Sequence, residues 1–261
     1  MKIYSKESLI VALREIKSQG WIKNARPGNA GGVGNTLEDL LGITENNLPI
    51  PNASEWELKC QREGTTSLTT LFHMEPSPRA LRFVPNYFLP LFGWKHSEAG
   101  ISYPENELSF RQTINGESRT DRGFMVVIDW DDKKVLVSFD SATVDPRHES
   151  WLENVNEHRG MGELEPQPYW GFTDLEYRAG TKLNNAFYVQ AKVKREDGKE
   201  YFYYNRISIL KDFKVENFIT ALVDGNVLID FDARTGHNHG TKFRVRQNAL
   251  PSLYSEIIEV D

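Results

Sequence analysis

The sequence predicts a mixed α/β, strand-rich fold. Three observations carry this: one amphipathic helical pattern near the start, two strand-turn-strand signatures further on, and short alternating segments separated by glycine, proline and polar turns. At 261 residues the chain suffices for one large domain or two small ones. No repeat, low-complexity tract or linker breaks it, so a single domain of residues 1–261 is expected. It would have two lobes, with catalytic elements near 1–150 and recognition elements near 160–261.

Residues 6–19 place Leu9, Ile10, Leu13 and Ile16 at helical spacing, with Ser5 as N-cap and Gly20 as terminator. A glycine-rich loop follows, RPGNAGGVGNT at 26–36. It leads into LEDLLG, a short helix that Asn35 or Thr36 can cap and Gly42 can close. NNLPIPNA is extended because proline biases its predecessor away from helix. Strands are expected at 55–60 and 67–74, and residues 76–105 read as irregular but ordered packing of prolines and aromatics. GFMVVIDW-DDKK-VLVSFD is a hairpin, and a second hairpin has Asp197-Gly198 at its tip. A helix near 213–223, a strand at 226–233 and the strands TKFRVR and YSEIIEV complete the chain.

Composition is that of an ordinary soluble protein, with 39% hydrophobic and 26% charged residues. No run of about 18 apolar residues exists to span a membrane. The first twenty residues have neither the apolar region nor the cleavage site of a signal peptide, so a cytoplasmic location is expected. The lone Cys60 excludes an intramolecular disulfide and a cysteine-based zinc cage. A net charge of −6 argues at first against a nucleic-acid partner. The distribution weakens that argument. Residues 129–165 carry ten acids against four bases, so the rest of the chain sums to zero. Residues 1–34 hold six bases against two acids, and 234–247 hold Arg234, Lys242, Arg244 and Arg246 with no acid. A globally acidic protein with this layout can present two basic walls.

The segment ASEWELKC, residues 53–60, alternates charged and apolar side chains. On a strand, Glu55, Glu57 and Lys59 share one face and Trp56, Leu58 and Cys60 the other. Taken alone this is most simply an edge strand with a solvated polar face. Two carboxylates and a lysine together also suit metal-assisted phosphodiester hydrolysis, the acids holding Mg²⁺ and the lysine orienting water. A phosphate-loop reading of the glycine-rich segment fails, because Asn29 and Asn35 stand where the first glycine and the lysine of a Walker motif belong. No Gly-x-Ser-x-Gly elbow is present. His237 and His239 could bind zinc from one strand face, although no third ligand is evident. They could equally join Arg244 in reading base edges, or belong to an unspecific polar loop.

The stretch from Arg26 to Arg79, with GNTLEDLLG, WELK and SLTTLF in that order, resembles the MvaI/BcnI family of type II restriction endonucleases, relatives of the MutH nicking enzyme. GHNHGTKFRV resembles the family's base-reading segment. The likeness covers 26–79 and 230–246. It implies a PD-(D/E)xK, MutH-like fold with a central mixed sheet and a DNA-binding cleft. It further implies a Mg²⁺-dependent monomer that cuts double-stranded DNA at a short CC-N-GG type site, paired with a cognate DNA methyltransferase. Carried over by position, Glu57 is a metal-ligating acid, Lys59 the catalytic lysine, and Glu38 the helix glutamate facing the same site. The family's first acid, five residues before the Glu-x-Lys pair, falls on Asn52. Either Glu55 supplies the carboxylate from the same strand face, or the site is weakened. The metal set is thus Asn52, Glu55 and Glu57. DNA contacts fall on His73, Arg234, His237, Asn238, His239, Lys242 and Arg244. The alternatives are a DNA-binding protein of this fold whose nuclease site has decayed, and a zinc hydrolase built on the two histidines.

Overall fold

Ser5 starts the first helix as its spacing requires: its hydroxyl accepts from the Ser8 N–H at 3.2 Å. The computed structural model describes residues 4–29, 31–43 and 56–261. Helix α1 (Lys6–Ser18) buries Leu9, Leu13 and Ile16, and the chain turns away at Gly20, φ +71°. Helix α2 (Gly32–Leu41) opens earlier than expected, so Asn35 and Thr36 lie inside it instead of capping it. Thr36 Oγ1 is used elsewhere, accepting from Ala25 N–H at 3.1 Å. Gly42 closes α2 in the left-handed conformation, φ +66°, which glycine adopts without steric cost.

The chain forms two compact units that alternate along the sequence. Unit 1 comprises Met1–Thr69, Tyr177–Asn217 and Arg246–Asp261; unit 2 comprises Thr70–Glu176 and Phe218–Val245. This differs from a division into 1–150 and 160–261. The reason is strand pairing: β2 (Glu57–Arg62) runs parallel to β9 (Asn185–Glu196), and a parallel pair needs a long crossover. The crossover carries the first and larger segment of unit 2.

In unit 1, β1 (Ile22–Lys23), β10 (Lys199–Phe213), β9 and β2 lie side by side, and β14 (Tyr254–Val260) pairs with β10. Only β2 to β9 is parallel among these, so the sheet is mixed, as expected. Trp56, Leu58, Phe187, Val189 and Ala191 point to one face, where α1 and α2 cover them. Register places Glu57, Lys59 and Gln61 beside Ala186, Tyr188 and Gln190 on the other. The β9–β10 hairpin turns at Asp197 and Gly198, both at positive φ, as its sequence predicts. A bulge lies between Tyr204 and Arg206. The extra residue switches the buried parity from Phe202 and Tyr204 to Ile207 and Ile209, keeping apolar side chains on the core face throughout a 15-residue strand.

Unit 2 holds two sheets. The larger has the order β3 (Thr69–His73), β13 (Lys242–Val245), β11 (Val227–Arg234), β5 (Leu108–Ile114), β4 (Trp94–Lys95), with β12 (His237–Asn238) also on β11. The smaller joins the hairpin β6 (Phe124–Asp129) and β7 (Lys134–Phe139) to β8 (Tyr169–Gly171). Residues 76–105 pack as short helical turns, including α3 (Leu89–Phe92). Phe83, Phe88 and Phe92 from them join Phe110 and Phe124 in an aromatic core. Two further helices, α4 (Glu149–Arg159) and α5 (Phe172–Leu183), lie where the sequence gave no helical expectation; α6 (Val215–Val223) lies where one was expected. Among the described residues no helix is long and apolar enough to cross a membrane.

The phase of α1 is open to a direct check. Leu13→Ala, at a position 1% exposed, is expected to cost about 2–5 kcal/mol of unfolding free energy in urea titration, against under about 0.5 for Val11→Ala at 54% exposure.

Candidate active site

Among the described residues, Glu57 is the most deeply buried acid of unit 1, at 1% exposure. The strand expected to turn a charged face to water or a cleft instead buries its carboxylate. Burial of a charge is tolerable only with compensation, and two ammonium groups supply it. Lys59 Nζ lies 2.8 Å from Glu57 Oε1, and Lys182 Nζ lies 3.9 Å from the same oxygen. Both lysine side chains are largely covered. Period-two spacing sets the first contact; α5 delivers the second. The other carboxylate oxygen, Glu57 Oε2, is buried with no hydrogen-bond partner among the described residues.

Lys182 is held below its ordinary pKa by burial first; Glu57 opposes that lowering, and the charges of Lys59 and Arg178 add to it. Glu38, on α2, also opposes it, and Glu38 contributes after burial to raising the Cys60 thiol. Glu38, Glu57, Lys59 and Lys182 therefore share one electrostatic neighbourhood. Tyr254 adjoins it: burial pushes its phenol up, Glu57's charge comes second, and its hydroxyl is buried without a partner among the described residues. Asn52 and Glu55, the remaining expected metal ligands, lie outside the described residues.

Lys182 escaped the sequence reading. The signal was present, since Leu175, Ala179 and Leu183 are fully buried at spacings of four along α5. Gly180 within that pattern argues against a helix, because glycine disfavours helix interiors by about 1 kcal/mol relative to alanine.

The second set of expected residues lies in unit 2. Strands β5, β11 and β13 turn Phe110, Ile114, Ile229, Phe231, Phe243 and Val245 into the core. Alternation then gathers charges on the opposite face. Asp232 pairs with Arg111 at 3.1 Å and Lys242 at 3.4 Å, and Asp230 with Arg244 at 3.4 Å. Thr113 Oγ1 donates to Asp230 at 3.0 Å. Arg111, Asp230 and Asp232 were not anticipated, although Asp230-x-Asp232-x-Arg234 shows the alternation.

His237, Asn238 and His239 are exposed, the two imidazoles in edge contact with centroids 4.2 Å apart. His73 on β3 reaches the same loop: a Cβ on Gly240 would stand 3.4 Å from its ring. Arg234 is engaged structurally, bonding the buried Glu107 at 3.0 Å and stacking over Tyr103. No group of three His, Cys, Asp or Glu side chains that could hold a metal occurs among the described residues. Among the described residues the histidine pair thus finds no third ligand of the kind a zinc site needs.

The model of the MvaI/BcnI restriction endonuclease family matches residues 10–254. The chain belongs to that family. It is therefore a site-specific DNA endonuclease of the restriction type. Similar solved structures include restriction endonuclease MvaI in complex with its cognate DNA substrate, at 24% identity over 99% of this chain and 100% of that one, TM-score 0.76. MvaI in the absence of DNA matches at 25% identity over the full length of both chains, TM-score 0.55. The likeness supports the restriction-endonuclease-like fold. No curated protein matches the chain.

The compensated carboxylate of this family member has a measurable signature. Glu57→Gln strands Lys59 and Lys182 beside a neutral amide and is expected to cost about 3 kcal/mol at neutral pH. Lys182 is lowered in the folded state, so the unfolded chain binds more protons as pH approaches the ordinary 10.5. Stability therefore rises with pH in that window. The loss measured by urea unfolding should shrink from pH 7 towards pH 10.5.

Proposed function

We propose that this endonuclease hydrolyses phosphodiester bonds of double-stranded DNA at a short pseudopalindromic CC-N-GG type site. It acts as a cytoplasmic Mg²⁺-dependent monomer beside a cognate DNA methyltransferase. The observation that carries the reading is Glu57: both ammonium groups lie nearest Oε1, and Oε2 is buried with no hydrogen-bond partner among the described residues. An orphaned anionic oxygen fits a hard cation, which takes oxygen ligands.

Glu57, with Glu55 or Asn52, would hold the cation, and Glu38 would add negative charge nearby. When bound, Mg²⁺ neutralises charge developing on the phosphate. Lys59 Nζ is held by Glu57 at 2.8 Å beside the carboxylate that would carry the cation. It positions the water that attacks phosphorus, and the 3′-oxygen departs, leaving a 5′-phosphate. Lys182 helps to orient the Glu57 carboxylate through Oε1.

Base reading falls to unit 2. Asp230 holds the Arg244 guanidinium, and Asp232 holds Lys242 and Arg111, so each cation enters the groove on a fixed stem. Arg244 would donate to guanine O6 and N7, the commonest specific contact in the major groove. His73, His237, Asn238 and His239 offer donors and acceptors beside it. Arg234 contributes through the loop it anchors.

Plasmid digestion with Mg²⁺ tests the whole reading. Discrete fragments with 5′-phosphate ends, sequenced at their termini, are expected; specific retention without cleavage would mean a decayed site. Lys59→Ala should abolish cleavage while leaving site-specific retention in a gel-shift assay intact. Cutting at the normal rate would refute the site. Arg244→Ala should relax sequence discrimination by about 1–3 kcal/mol in competition binding.

A further inference from the structure

The glycine-rich loop at 26–36 has no part in the chemistry above, yet it borders a groove of unit 1 of about 970 Å³. Across it stand the end of β2 and the β9–β10 hairpin, contributing Arg62, Arg195 and Lys199, with Lys23 on β1. Two acids, Glu63 and Glu200, share the lining. Glu200 is fully engaged: it accepts from Asn24 Nδ2 at 2.9 Å and Arg62 Nη2 at 3.1 Å, with Arg195 Nη2 at 3.9 Å. It thereby offsets the two guanidinium groups. Glu63 accepts from Asn205 at 3.0 Å. Lys23 and Lys199 are exposed and have no ion-pair partner among the described residues.

Their spacing is set by the sheet. Lys23 stands opposite Tyr201, two residues from Lys199 on the same face. That diagonal separates them by about 7–8 Å, which, measured along the helix axis, spans about two of the roughly 3.4 Å rises per nucleotide. The register also fixes their distance from the candidate chemistry. Lys59 pairs with Tyr188, Tyr201 with Lys194 and Lys199 with Glu196. Along β9 those levels lie six and eight residues beyond Tyr188, about 20 and 26 Å at roughly 3.3 Å per residue. This corresponds to about six to eight nucleotides, well outside a short recognition site.

We propose that this groove is a track for flanking DNA, in which Lys23 and Lys199 take phosphates of the duplex beyond the recognised sequence. It adds sequence-independent affinity to a protein whose net charge of −6 otherwise opposes DNA. The inference rests on the endonuclease reading and names a contact that reading does not require.

The test compares wild type with the K23Q/K199Q double variant, both in a K59A background so that DNA is bound and not cut. Two duplexes carry the sequence that the wild-type enzyme cuts: one of about 30 base pairs, and one ending about four nucleotides either side of the cut, too short to reach the groove. On the long duplex the slope of log K against log salt should flatten by about 1.8, roughly 0.9 per lost phosphate contact. Both proteins should bind the short duplex equally. An unchanged slope on the long duplex, or equal loss on both lengths, overturns the track while the endonuclease reading stands. A wild-type protein that neither cuts nor retains duplex DNA overturns both.

Discussion

A carboxylate at 1% exposure must be compensated, and much of unit 1 can be read from how Glu57 is. The strand that carries it sits at the edge of a mixed sheet with Leu58 and Cys60 turned toward the core under α2. Burial of that apolar face fixes the strand's register, because a slip of one residue would exchange its faces. With the register fixed, Lys59 is delivered to Glu57 by alternation alone. Lys182 comes from α5, which the three-residue stripe of Leu175, Ala179 and Leu183 anchors. Two cations on one oxygen orient the carboxylate and leave the other oxygen available.

Unit 2 solves a related problem in a different way. Cations repel one another when gathered on a sheet face. Asp230 and Asp232, interleaved on β11, separate Arg111, Lys242 and Arg244 and hold each side chain in place. The cost is a lower net positive charge; the gain is a defined geometry, which suits recognition of bases better than it suits bulk attraction. The groove beside the glycine-rich loop has the opposite balance, with one carboxylate, Glu200, shared between Arg62 and Arg195, and with Lys23 and Lys199 exposed on its rim.

Particular residues show how far the sequence could be read. Ser5, Gly20 and Gly42 marked helix ends because capping and left-handed turns are local, and Asp197-Gly198 marked its hairpin for the same reason. Helix α2 began early because Thr36, a good cap by type, had a partner at Ala25. Helix α5 stayed hidden behind Gly180, whose local preference was outweighed by packing of the residues around it. The GNTLEDLLG, WELK and SLTTLF segments pointed to the family that the match over residues 10–254 establishes.

The sequence by itself determined which residues share a strand face and where turns fall, since both depend on neighbours within a few positions. It therefore placed Glu57 beside Lys59, and Lys242 and Arg244 on one side of their strand. Only the tertiary structure decided that Lys182 meets Glu57, that Asp230 and Asp232 hold Arg244 and Lys242, and that His73 lies against Gly240. Those contacts join residues on separate strands, helices and loops. They form because burying apolar faces drives strands and helices together, and that drive specifies which faces meet without being written in any one segment.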